Sequence, residues 1–374
     1  MPSVLVHLVC AARPNFMKVA PLYHALRRDS WCEPLIIHTG QHYDANMSDD
    51  FFTDLKLPPP DQHLGVGSGT HAEQTGGVMI AYEKVVDERR PDWIIVVGDV
   101  NSTLACAMVG AKLCVPVVHL EAGLRSGDRT MPEEINRIGT DAIADVLWTP
   151  STDANETLRR EGVPDERVDF VGNIMLDSFE LLRPAIEADP ARAQLGLAGE
   201  RYAVATLHRP ANVDSRAALG PLVDQLLAAA HRLRLVFAVH PRTRQRLTDF
   251  GLLDRLTSDA GVTLTEPLSY IPFMRLVTGA AVVITDSGGV QQETTYLGIP
   301  CLTLRDTTEW GVTLTNGTNC LVRPGELAVS LDRTLAHPPV AKEPPELWDG
   351  RSAARCVAAL RRRADSTRRA PRTL

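Results

Sequence analysis

At 374 residues, with 44% hydrophobic and 23% charged side chains and a formal charge of −7, the chain is too long for one ordinary core and lacks the basic footprint of a nucleic-acid partner. No apolar run reaches the length that spans a bilayer, which argues against a membrane partner. Seven scattered cysteines without a Cys-x-x-Cys pair point to reduced thiols in a cytoplasmic compartment, not to a disulfide framework or structural zinc.

The first predicted strand is Val4–Cys10. The segment from Met1 to Ala12 is apolar but has no basic leader and runs into Arg13-Pro14, so it reads as a buried strand and not as a signal peptide. Strands follow at Pro34–His38, Trp93–Val97, Val115–His119, Val146–Thr149 and Val168–Val171, with a loop at Gly65–Thr70, a helix from about His71 and another from Ala105 to Leu113. A turn-rich, charged stretch from Leu181 to Glu200 interrupts this order, which places a linker around Gly172 to Pro190. Strands then resume at Tyr202–Leu207, Leu235–Val239, Val262–Leu264, Ala281–Thr285 and Pro300–Leu304. Cys10, Cys106, Cys114 and Cys301 sit in apolar surroundings and read as small core hydrophobes.

Strand and helix patterns that alternate twice define an α/β chain of two Rossmann-like, doubly wound lobes facing a central cleft, residues 1–172 and 190–345. A last helix, 351–363, is expected to cross back to the first lobe, while the arginines of Arg361–Arg363 and Arg368-Arg369 read as a frayed, solvated tail.

Chemistry concentrates where predicted strands end. Asp99 follows Trp93–Gly98, and Glu121 follows the next apolar run, so neighbouring parallel strands bring both acids to one crevice. Each alone reads as an ordinary cap or solvated acid; their clustering with Glu133 and Glu134 reverses that reading. Asp286-Ser287-Gly288-Gly289 leaves a strand and opens a helix, a place for phosphate, and Glu293 one turn further on could accept hydrogen bonds from a ribose diol. Arg13 and Lys18 flank the first helix start and could neutralise a diphosphate, and His208 follows the first strand of the second lobe as a candidate acid, base or phosphate donor. A P-loop, a complete Gly-x-Gly-x-x-Gly, a Gly-x-Ser-x-Gly elbow and a His-Glu-x-x-His helix are all missing, which disfavours ATP, NAD, serine-hydrolase and zinc readings.

Arg13-Pro14-Asn15-Phe16-Met17-Lys18, His38-Thr39-Gly40-Gln41-His42, Gly98-Asp99, His119-Leu120-Glu121-Ala122-Gly123-Leu124-Arg125, Pro132-Glu133-Glu134-Ile135-Asn136-Arg137 and Ser287-Gly288-Gly289, in this order, resemble the non-hydrolysing UDP-N-acetylglucosamine 2-epimerases. The resemblance runs to about Pro324. It implies a two-lobed glycosyltransferase-like (GT-B-like) fold, a homodimer, and reversible inversion at C2 between UDP-GlcNAc and UDP-ManNAc without NAD or metal. Carried over residue by residue, it implies that Ser287, Gly288 and Gly289 hold phosphate, Glu293 the ribose, Phe273 the uracil and Arg13 the diphosphate. Lys18, Asp99, Glu121, Glu133, Arg137 and His208 would surround the sugar.

Some positions depart from the family pattern. His208-Arg209-Pro210-Ala211-Asn212 stands for H-R-x-E-N, Thr308-Glu309-Trp310-Gly311 for T-E-R-P, and Gln292 for a Glu. Trp310 removes a positive charge expected at the diphosphate, and a substrate altered at its distal hydroxyl or acyl groups is compatible with these changes. Residues matching Gln41, Arg209 and His240 bind a second, activating nucleotide in some relatives, but Asp44 replaces a helpful Gln, so weak or absent activation is expected. Competing readings are a glycosyltransferase, a hydrolysing epimerase that releases ManNAc and UDP, and an idle UDP-sugar sensor.

Overall fold

The computed structural model describes residues 3–11, 13–28, 30–40, 53–339 and 344–369. The chain divides into two compact units, Met1–Leu181 with Glu346–Leu374, and Leu182–Pro345.

The first unit holds a parallel sheet of β1 (Val4–Cys10), β2 (Cys32–His38), β3 (Gln62–His63), β4 (Trp93–Val97), β5 (Val117–Leu120), β6 (Val146–Thr149) and β7 (Val168–Phe170). Its order is β3-β2-β1-β4-β5-β6-β7. The second unit repeats the plan with β8 (Tyr202–Thr206), β9 (Arg234–Ala238), β10 (Val262–Thr265), β11 (Val282–Thr285), β12 (Cys301–Thr303) and β13 (Asn319–Leu321), ordered β10-β9-β8-β11-β12-β13. In each sheet the chain winds one way from its first strand and then the other. The carboxyl ends of β1 and β4, and of β8 and β11, therefore splay at a switch point where a ligand can enter.

The strands form because both faces of each sheet are covered. Trp93-Ile94-Ile95-Val96-Val97 is buried at every position, the pattern of a central parallel strand rich in β-branched residues. It packs with Val9, Ile37, Tyr82, Val117 and Leu147 in the first unit, while Leu207, Leu226, Phe237, Ile284 and Leu302 form the core of the second. Each such aliphatic or aromatic side chain contributes about 1.5–3 kcal/mol on burial. Helix His71–Glu88 starts where expected because Thr70 and Glu73 cap each other: Thr70 Oγ1 accepts from the Glu73 amide at 3.3 Å and Glu73 Oε2 from the Thr70 amide at 2.8 Å.

The last helix, Ser352–Arg369, belongs to the first unit and packs against helix Arg13–Arg27. Ala353, Cys356, Leu360 and Ala364 supply its buried stripe. Its start is fixed by Asp177, whose carboxylate accepts from the amides of Ser352 at 3.0 Å and Ala353 at 2.8 Å.

Four expectations are corrected. The stretch expected to be turn-rich carries helix Ile174–Ala188 and then Ala191–Gln194, because a continuous apolar stripe outweighs Pro184 as a breaker. Cys114 is exposed on a turn with φ of +53°, whereas Cys10, Cys106 and Cys301 are buried. Arg361 and Arg363 are no frayed tail: Arg361 lies over the Trp31 ring, and Arg363 bonds Asp169 Oδ2 at 2.8 Å and the Glu166 carbonyl at 2.9 Å. The edge strands β3 and β13 were not expected.

Candidate active site

In the first unit, the candidate acids Asp99 and Glu121 lie on the turns beyond β4 and β5. Glu121 is nearly buried, and the Lys18 ammonium, from the second turn of helix Arg13–Arg27, bonds its Oε2. Its other oxygen, Oε1, is buried and has no hydrogen-bond partner among the described residues. Burial pushes the Glu121 carboxyl up, with Lys18 pulling against it and the Asp99 charge adding to the rise. Glu121 also adopts φ of +75°, a left-handed backbone that a non-glycine residue takes only under constraint. The constraint is visible. The amides of Glu121 and Ala122 both bond the Trp148 carbonyl, at 3.1 and 3.0 Å.

Asp99 is tied to the same cluster through Arg137, which donates to its Oδ2 from helix Pro132–Ile143. Arg137 is in turn gripped by Glu134, with Nε and Nη2 at 3.0 and 2.8 Å from Oε2. Burial would raise Glu134, but the Ser126 and Gly127 amides and Arg137 outweigh it and hold the carboxyl below its ordinary value. Asn136 donates to the Asp99 carbonyl at 2.9 Å. Gly98 has φ of +70°, and a Cβ there would come within 3.3 Å of Lys18 Nζ and 3.7 Å of Glu121 Oε2, so glycine leaves that space to the ion pair.

In the second unit, His208 follows β8 and its Nδ1 lies 2.9 Å from Asp286 Oδ1. Asp286 is fully buried and collects the His208 and Arg209 amides and the Asn212 side chain, the last two at 2.9 and 3.0 Å from Oδ2. Burial would raise this carboxyl, yet His208 and its other donors keep it low and ionised. With Nδ1 committed, His208 Nε2 is left for other partners. Ser287 is the N-cap of helix Gly288–Leu297, yet its side chain makes no capping bond, so the role of a plain cap does not account for it. Gly288 answers a close neighbour: a Cβ there would stand 2.8 Å from Glu309 Oε1, and Glu309 pairs with Arg305 at 2.7 Å. Trp310 is 3% exposed beside it.

Glu293 is buried, and the Tyr270 hydroxyl donates to its Oε1 at 2.7 Å; Phe273 is half-buried on the same helix as Tyr270, Tyr270–Val277. Burial pushes Glu293 up to about 7, against the pull of Tyr270. Between its ordinary pKa of 4.5 and about 7 the folded protein therefore holds a proton that the unfolded chain has released, and the stability contribution of this group falls as pH rises through that window. Glu293→Gln is uncharged throughout, so its Tm should rise relative to the parent between about pH 5 and about pH 8. A pH-independent difference would contradict this.

Of the residues singled out from sequence, the structure joins Lys18 to Glu121 and Asp99 to Arg137 in one unit, and sets His208 beside His240 in the other, their rings 5.5 Å apart. Arg209 Nε donates to the Asp286 carbonyl at 3.3 Å, and His240 caps helix Pro241–Asp249. Glu133 is half-buried on a first helical turn and makes no hydrogen bond or ion pair with any described residue. Gln41 and Asp44 lie outside the described residues, as does the side chain of Arg13. Sequence reading passed over Asp141, Asn212 and Tyr270, and gave Glu134 and Asp286, which it placed in motifs, no role of their own. For Glu134 the three-residue spacing to Arg137 was the available signal; for the others there was none.

Acids and a lysine at one switch point, and an Asp–His pair beside a glycine-opened helix at the other, place the chain among the GT-B-like nucleotide-sugar enzymes built from two Rossmann-like units. The chain belongs to the UDP-N-acetylglucosamine 2-epimerase family, whose sequence profile matches residues 24–361. It is 41% identical over 320 residues to the UDP-N-acetylglucosamine 2-epimerase of Methanocaldococcus jannaschii, covering 84% of this chain and 87% of the relative. It is 39% identical to the UDP-2,3-diacetamido-2,3-dideoxy-D-glucuronate 2-epimerase of Pseudomonas aeruginosa, with the same coverage. The crystal structure of the M. jannaschii enzyme in complex with UDP-GlcNAc and UDP aligns with a TM-score of 0.88 at 38% identity, over 96% of this chain and 100% of that one. No helix among the described residues is long and apolar enough to cross a membrane.

Proposed function

We propose that this protein catalyses the reversible C2 epimerisation of a UDP-2-acetamido sugar, interconverting UDP-GlcNAc and UDP-ManNAc. The observation that carries the reading is the Lys18–Glu121 pair, with one carboxylate oxygen buried and unpartnered beside Asp99, in a chain of the epimerase family. A carboxyl raised by burial and steadied by an ammonium is suited to exchange a proton with carbon.

In this reading the C1–O bond breaks with its electron pair passing to UDP, and C2 gives up its proton to a base, leaving a glycal. Protonation of C2 on the opposite face, with return of the UDP oxygen to C1, gives the epimer. Asp99, Glu121 and Glu133 stabilise the cationic ring and move the C2 proton, with Lys18 and Arg137 holding their charges in balance. His208, Ser287, Gly288, Gly289 and Arg13 take the diphosphate, Glu293 the ribose and Phe273 the uracil. The protein works as a cytoplasmic homodimer.

Proton NMR of the purified protein with UDP-GlcNAc alone is the test. Appearance of UDP-ManNAc, carrying deuterium at C2 when the reaction runs in deuterium oxide, is expected. UDP release only with an acceptor would point to a glycosyltransferase, free ManNAc to a hydrolysing enzyme, and no change to a sensor. The diacetamido uronate on which the P. aeruginosa relative is named belongs in the same assay, since that relative is almost as similar as the archaeal one.

A further inference from the structure

His119 and Asp141 offer no atom to a substrate, yet they hold both turns that present the acids. His119 is the third residue of β5 and is fully buried. Its Nε2 lies 2.8 Å from the Gly98 carbonyl and its Nδ1 2.6 Å from Asp141 Oδ1. Asp141 is buried on helix Pro132–Ile143, and its Oδ2 accepts from the Gly123 amide at 3.0 Å and pairs with Arg125 at 2.8 Å. Burial would raise Asp141, but His119 and Arg125 outweigh it and keep the carboxylate ionised. Both ring nitrogens of His119 thus face acceptors, an arrangement satisfied only when the ring carries both protons.

The turns so held are the constrained ones. Gly98, Glu121 and Gly123 have φ of +70°, +75° and +82°, and a Cβ on Gly123 would stand 2.6 Å from the Ala154 carbonyl oxygen. One side of the His119–Asp141 pair grips the residue before Asp99, and the other grips the amide two residues after Glu121. The charged groups that face Glu121 are Lys18 from helix Arg13–Arg27, Asp99 beyond β4 and His119 on β5.

We propose that His119 and Asp141 are positioning residues: they lock the Gly98–Asp99 and Glu121–Gly123 turns to each other, and the His119 imidazolium sets a fixed positive charge behind Glu121. The inference rests on the epimerase reading for the reaction it serves, but its electrostatic half can be read without turnover.

Two substitutions each remove the charge and break one side of the lock. His119→Asn places an amide near the old Nδ1, toward Asp141, and deletes the bond to Gly98. His119→Gln places an amide near the old Nε2, keeps the bond to Gly98 and removes the charge. We expect His119→Asn to lose about 10²-fold in kcat with KM changed less than about threefold, the scale set by a small misplacement of reacting groups. His119→Gln loses the Asp141 side of the lock and should lose turnover on the same scale, while the Glu121 carboxyl, followed by carbon-13 NMR, and the Glu121-dependent limb of the pH–rate profile both move to higher pH, because loss of a nearby cation disfavours the carboxylate. A purely structural pair predicts a lower Tm with the Glu121 titration unmoved, and that result would overturn the proposal. So would a folded His119→Asn enzyme with parental kcat. Should His119→Asn fail to fold, the Glu121 titration in His119→Gln decides. An inactive parent protein whose His119→Gln variant still shows the shift would count against the epimerase reading and for the buried pair.

Discussion

Glu121→Gln is expected to lower turnover by about 10²–10⁴-fold while leaving UDP affinity within about threefold of the parent, since a group that moves a proton or stabilises charge acts mainly in the transition state. The amide preserves the bulk of the carboxyl in a position where Oε2 meets Lys18 and Oε1 is bare, so the change is one of charge and proton capacity more than of shape. Asp99→Asn should behave likewise, because it also releases Arg137 from its ion pair. Initial rates by NMR and UDP titration by calorimetry separate the two effects. A folded Glu121→Gln protein with near-parental turnover would remove Glu121 from the chemistry.

Asp286→Asn is the second variant from which a large effect is expected. Asp286 accepts from two backbone amides, from Asn212 and from the His208 ring, so only a group with two acceptor oxygens satisfies every donor. An amide in that place turns an N–H against one of them and releases the His208 ring from the tautomer that leaves Nε2 for other partners. Turnover should fall by about 10²–10⁴-fold, the range associated with loss of a carboxylate that orients an imidazole. Stability should fall by about 1–3 kcal/mol for the donor left unmatched, measured by denaturant unfolding. Full activity of the folded variant would show that His208 needs no such support.

The acids at the strand ends were legible because an apolar run that stops at a carboxylate is a strong local pattern: Trp93–Val97 before Asp99, and Val117–Leu120 before Glu121. The glycine-opened helix after β11 was legible for the same reason. The supporting carboxylates were not. Glu134, Asp141 and Asp286 work by receiving backbone amides and side chains from distant segments, as when Gly123 meets Asp141 or His208 meets Asp286, and no spacing rule records such meetings. The Arg361–Arg363 cluster misled because charge runs usually face solvent, while here Asp169, at the sheet edge, holds Arg362 and Arg363 and the Trp31 ring meets Arg361. Strands β3 and β13 have only two and three residues, too short for a period of two to show.

The placement of the last helix has a consequence for how the chain is made. The second unit is interior in sequence and has all its residues once position 345 has been synthesised, whereas the first unit must wait for its closing helix, Ser352–Arg369. During synthesis the later-encoded unit is thus the earlier one able to complete its core. Until then helix Arg13–Arg27 lacks a neighbour against which it packs in the finished protein, and the Asp177 carboxylate lacks the two amides it accepts. The first unit is thus the last to be completed, and the final turns of synthesis act as its clasp.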